Sequence, residues 1–158
     1  MPDTNETVAA REVTITREYD VPARYLFLAW SRPEHVAKWF GPVGWPITLC
    51  EIDFRVGGRF RFAMTGPSGV QNTPFGGTYL EIVPDRKIVF DNGFEGSDER
   101  MVMTITFDEK DGRTMLTHHT VFSTIAMHDS HVGQGFVAGT NSALDQLEDV
   151  VRGMAGAA

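Results

Sequence analysis

His118, Tyr79 and Glu81 are the residues of this sequence best suited to move a proton or fix a polar group inside a fold. A histidine titrates near neutral pH, so His118 could orient a ligand or shuttle a proton. It could equally be a core residue paired with a neighbour. His118 adjoins His119, and in an extended strand two adjacent residues point to opposite faces. Glu81 lies two residues from Tyr79, on the same strand face. Buried, its carboxyl would have a raised pKa and serve as an acid. On the outer face it would form a salt bridge, and that is the preferred reading.

The other polar clusters read as structure. His128, Asp129 and His131 lack a third firm metal ligand, so helix capping is preferred to a metal site. Asp53 and Arg55 share a strand face and read as a tie at a strand end rather than a substrate clamp. Gly57-Gly58 and Gly76-Gly77 feed strands, not a helix N-terminus. They are read as turns needing positive φ, not as phosphate loops. Cys50 is the one cysteine, which excludes an internal disulfide and a CxxC metal site. It lies in no nucleophile motif and reads as packed and inert.

A less polar signal is the aromatic and sulfur residues. Phe60, Phe62 and Met64 share one strand face, and Met101, Met103, Ile105 and Phe107 share another. Pointing inward, they would form a Phe/Met surface. Methionine adapts to irregular shapes and is common at promiscuous surfaces, although ordinary core is the default for such a stripe.

The elements that must hold these residues follow from periodicity. Val13–Tyr19 alternates as a strand. Pro22 then opens a helix carrying Tyr25, Leu26, Leu28, Ala29 and Trp30. Ser31-Arg32-Pro33-Glu34 starts a second short helix that ends at Gly41-Pro42. A meander follows, with strands over 47–54, 59–64, 76–83, 87–92, 101–107 and 114–122, separated by Gly, Pro and Asp-Gly turns. The chain closes with a long helix capped by Asp129 or Ser130. Val137, Thr140, Leu144, Leu147 and Val151 mark its stripe, and Gly153 its stop. Residues 1–10 and 154–158 read as flexible tails around a single domain over 11–153. This order implies an α+β fold with an antiparallel sheet whose apolar face the last helix covers.

Composition narrows the function classes. The 158 residues are 42% hydrophobic and 22% charged, as in a globular domain. A net charge of −7 argues against nucleic acid and anionic lipid as partners. No apolar run is long enough to span a membrane and no signal core opens the chain, so the expected compartment is the cytoplasm.

Five stretches resemble the START/SRPBCC superfamily, the helix-grip or birch-pollen-allergen-like fold. Within it they resemble the bacterial relatives of the C-terminal domain of the heat-shock-protein-90 ATPase activator. They are Val21-Pro22-Ala23, then Arg32–Val36 with Lys38–Pro42, then Asp53–Phe60, Gly76–Pro84, and Gly135-Phe136 with Leu144 and Leu147. Phe40 and Phe136 stand where the family usually has tryptophan. The resemblance implies a curved antiparallel sheet wrapped around a long C-terminal helix, with two short helices after the first strand. It also implies an apolar cavity between sheet and helix. It puts Leu116, His118, Thr120 and Phe122 on the inner face, and Trp39-Phe40 near the cavity mouth. The expected lining is Trp39, Phe40, Phe60, Phe62, Met64, Met103 and Phe136, with Tyr79 and His118 as polar contacts. The expected function is binding of an apolar small molecule, lipid, polyketide-like or aromatic, with the Met127–Gly135 loop or the helix start as a lid. No metal or organic cofactor is implied, and a homodimer is left open. Two alternatives are a cyclase- or aromatase-like enzyme using His118, Tyr79 and Glu81, and a chaperone-associated regulator.

Overall fold

The computed structural model describes residues 7–157; the expected tail over 1–6 lies outside them. Val8–Ala10 forms one exposed 3-10 turn. The elements follow as β1 (Glu12–Tyr19), α1 (Ala23–Ser31), α2 (Pro33–Trp39), β2 (Ile47–Ile52), β3 (Arg59–Met64), β4 (Phe75–Val83), β5 (Lys87–Phe94), β6 (Met101–Lys110), β7 (Arg113–Phe122), α3 (Ile125–Gly133) and α4 (Phe136–Ala157). The strands form one seven-stranded antiparallel sheet in the order β1-β7-β6-β5-β4-β3-β2. This is the expected α+β helix-grip fold. The meander pairs each of β2 to β7 with its sequence neighbour, and β1 closes against β7.

Strand alternation sets the inner face. On β6, Met101, Met103, Ile105 and Phe107 are buried, and on β7 so are Thr114, Leu116, His118, Thr120 and Phe122. The long helix α4 covers this face with Leu144, Leu147 and Val151, all at 1% exposure or less. Their spacing of three and four residues puts them on one stripe. Buried polar ties fix the helix in place. The Tyr19 hydroxyl donates to the Leu144 carbonyl at 2.9 Å, and Gln146 Nε2 donates to the Gly41 carbonyl at 2.6 Å. Burial raises the Tyr19 phenol far above its usual range, so it remains a neutral donor.

Several boundaries differ from the sequence reading. The single long terminal helix is two, α3 and α4, broken at Gly135, whose φ of +96° suits glycine. Thr124, not Asp129 or Ser130, caps α3; its Oγ1 accepts from the Met127 amide at 3.0 Å. Met127–Gly135 is therefore mostly helix rather than loop. Helix α4 passes Gly153 and ends at Ala157, so 154–157 is not a loose tail. Nothing in a glycine forbids a helix once neighbouring turns carry it.

Gly57 does take positive φ, at +85°, in the β2–β3 turn. Gly76-Gly77 is not a turn: both lie inside β4, without positive φ. A Cβ on Gly77 would sit 2.0 Å from the Asp91 carbonyl oxygen, so close backbone approach explains this glycine. Strand β2 ends at Ile52, leaving Asp53 and Arg55 beyond it, paired with each other at 2.9 Å on the surface.

Candidate functional site

A cavity of about 350 Å³ lies between the inner face of the sheet and the first half of α4. That is near the lower end of the roughly 300–1,000 Å³ typical of small-molecule pockets. Each wall has a local cause. On α4 the residues facing it between Phe136 and Leu144 are small or short: Gly139, Thr140 and Ala143. The next residue, Leu144, also lines the void, and Leu147 beyond it is fully buried. The sheet contributes Met64, Met101, Met103 and His118. Trp30 from α1, Trp39 from α2 and Phe40 just after it form the opposite wall. Helix α3 adds Met127 and His131. Exposed Phe94, Ser97, Glu99 and Gln134 line the open side.

Six of the nine residues expected to line the cavity do so: Trp39, Phe40, Met64, Met103, His118 and Phe136. Trp39 is not at the mouth. It is 2% exposed, its Nε1 donates to the Ala29 carbonyl at 3.0 Å, and its ring packs edge-on against Trp30 at 4.6 Å. Phe60, Phe62 and Tyr79 lie elsewhere, in an aromatic cluster on β3 and β4. The ring of Phe60 is 5.0 Å from Phe62, 5.4 Å from Tyr79 and 5.3 Å from Phe90. The gap left among them is about 10 Å³, at or below what one water needs. This is packed core.

The expected lining lacks Trp30, Met127 and Asn92, and also Met101, which strand alternation nonetheless places on the inward Phe/Met face. Trp30 had a signal, since it sits on the apolar face of α1. Asn92 had none, because a polar residue at the end of an inward row looks like a strand end.

His118 is the one ionisable group buried in the cavity wall, at 5% exposure. Burial lowers its pKa from 6.5 to about 4; its own backbone opposes that shift and neighbouring His119 adds to it. The imidazole is therefore neutral at pH 7. Its Nδ1 is sealed and unpaired, as is Oδ1 of Asn92. His119, on the other face, approaches Glu12 at 3.7 Å.

The groups that would join His118 in proton chemistry do not converge on it. The β4–β5 register shifts between Tyr79 and Glu81. That irregularity leaves Tyr79 inside and turns Glu81 out, where it pairs with Lys87 at 3.1 Å. Burial holds the Tyr79 phenol well above its usual range. His128 pairs with Asp129 at 2.9 Å, while His131 stacks on Phe122 at 5.2 Å. Among the described residues no three His, Cys, Asp or Glu side chains are placed to hold a metal ion. Burial, and to a smaller extent Glu34, pushes the Cys50 thiol up to about 11, which suppresses the reactive thiolate. No helix among the described residues is long and apolar enough to cross a membrane.

Solved structures share this architecture. A crystal structure of a Nitrosomonas europaea protein matches with a TM-score of 0.85 and 25% identity, over 94% of this chain and 98% of that one. A solution structure from Arthrobacter aurescens matches with a TM-score of 0.85 and 24% identity, over 94% and 90% of the two chains. A Mycobacterium smegmatis protein matches with a TM-score of 0.80 and 25% identity, over 94% of each. No significant relative is found among curated proteins. The description "activator of Hsp90 ATPase homolog 1-like protein" matches residues 20–152, from the end of β1 through most of α4. With the helix-grip sheet and the covering helix already in place, that match shows that the chain belongs to the activator of Hsp90 ATPase homolog 1-like family.

Proposed function

We propose that the protein binds an apolar small molecule in the cavity between the sheet and α4, in the manner common to helix-grip folds. The observation that carries this reading is the void itself. An ordinary core closes to native density, as the Phe60 cluster does, whereas here Gly139, Thr140 and Ala143 leave about 350 Å³ unfilled. Its walls are chiefly methionine and aromatic side chains, which suit a ligand of irregular apolar shape. Tyr79 and Glu81, the groups named with His118 for proton chemistry, are not in the cavity wall, and this favours burial and release over catalysis. Helix α3, joined to α4 through Gly135, covers one side and is the element whose displacement would admit a ligand.

The test fills the void without disturbing the fold. A Cβ on Gly139 would meet nothing closer than Pro42 Cγ at 3.7 Å, and Gly139 has helical backbone. Gly139→Leu should keep or raise the melting temperature, since leaving glycine in a helix gains about 0.5–1 kcal/mol. It should also abolish saturable binding of a naphthalene-type dye, read by quenching of the Trp30–Trp39 pair. Wild-type protein that is folded and shows no saturable binding, or a Gly139→Leu variant that binds as wild type, would refute the reading.

A further inference from the structure

The cavity wall is selective in charge as well as shape. No lysine or arginine lines it; its ionisable groups are His118, His131 and Glu99. Glu99 is exposed at the open side, where it repels an anion. Arg100, the nearest cation in sequence, is directed to the Gly76 carbonyl and Asp91 instead. A carboxylate entering this space would lose its water and find no lysine or arginine.

His118 offers a different partner. Its Nδ1 is sealed and unpaired, and no hydrogen bond in the described residues engages Nε2. Nε2 is not among the sealed atoms, so it is the ring nitrogen with open surface, and the residue lies on the cavity wall. A neutral imidazole presents either a donor or an acceptor at that nitrogen, depending on the tautomer. A hydroxyl satisfies both cases, because it donates and accepts. Trp30 and Leu144 also line the cavity, and the Trp30 ring lies 6.0 Å from the imidazole, so an apolar body fits around the polar contact.

We propose that the cavity selects an uncharged apolar molecule bearing a hydroxyl group, which pairs with Nε2 of His118, over the carboxylate of the same shape. This rests on the cavity being a binding site at all. The experiment separates the two claims with three probes of one ring system, naphthalene, 2-naphthol and 2-naphthoate, titrated calorimetrically near pH 7. 2-Naphthol should bind about three- to tenfold more tightly than naphthalene, the size of a single neutral hydrogen bond. 2-Naphthoate should bind at least about tenfold more weakly than 2-naphthol. In His118→Leu the preference for 2-naphthol over naphthalene should vanish while naphthalene binding persists. Because that variant could fail to fold, the ¹⁵N resonance of His118 Nε2 in the wild-type protein provides a second reading. It should shift with 2-naphthol and remain nearly unmoved with naphthalene. Equal affinities for naphthalene and 2-naphthol, tightest binding by 2-naphthoate, or an Nε2 resonance indifferent to 2-naphthol would overturn this inference and leave the apolar site standing. Failure of all three probes to bind folded protein would overturn both.

Discussion

The same sheet face is finished in two ways. Toward β3 and β4, Phe60, Phe62, Tyr79 and Phe90 interlock and leave only about 10 Å³. Toward the far ends of β5, β6 and β7, the face carries methionines and His118 beside a void of about 350 Å³. Both regions are apolar and both are covered by helices. The difference lies in the covering surface. Over the aromatic cluster, Val36 and Phe40 reach down to the sheet. Over the cavity, α4 presents Gly139, Thr140 and Ala143 between Phe136 and Leu144, and these three are too short to reach the sheet. The void is thus made where the helix withholds side chains, more than where the sheet supplies special ones.

The largest effect should come from truncating the filled region. Phe60→Ala removes a ring with neighbours on several sides and should cost about 3–5 kcal/mol in denaturant unfolding. Met103→Ala, on the same sheet face but bordering the void, should cost nearer about 2 kcal/mol, the low end for such a change. Equal losses would mean that the cavity collapses in solution and that the contrast between the regions is false.

Next in size is the pH dependence carried by His118. Its folded pKa, about 4, lies below the ordinary 6.5, so between these values the unfolded chain binds a proton that the folded chain refuses. Stability should be complete above pH 6.5 and fall as pH drops toward 4, by up to about 3 kcal/mol. Comparing urea midpoints of wild type and His118→Leu across this range isolates the histidine from surface carboxylates. Parallel pH profiles would place water and charge around His118 and contradict a dry wall.

The smallest effect should come from the tie between β1 and the packed half of α4. Tyr19→Phe removes the hydrogen bond to the Leu144 carbonyl and should cost about 1 kcal/mol. Dye affinity should stay within about twofold, because the ring that packs the helix remains. A larger loss of binding than of stability would show that the helix position near Leu144 sets the cavity size.

Much of this molecule was legible in its sequence. The strict alternation in Arg59–Met64 and Met101–Phe107 assigned inward residues, and the turns between strands fixed an antiparallel meander. The adjacent pair His118-His119 split across the sheet for the same reason. What was not legible has another cause. Glu81 takes the outer face, as preferred from the sequence, but it does so at a β-bulge, a one-residue event that alternation does not reveal. The N-terminus of α1 has no side-chain cap of its own; Glu109, from the end of β6, accepts from the Ala23 amide at 2.7 Å.

Local pattern therefore determined the elements, their order and the side of each strand that is buried. Periodicity is a property of a few consecutive residues, and steric preference writes it directly into the chain. Which inward residues meet, and where they fail to meet, was decided only in the tertiary structure. Phe60 and Met103 carry the same inward signal in their strands, yet one is locked among rings and the other borders open space. That distinction depends on the spacing between α4 and the sheet, which Tyr19, Gln146 and the break at Gly135 set across more than a hundred residues of chain. Close packing is a relation between distant surfaces, and a void is the absence of that relation.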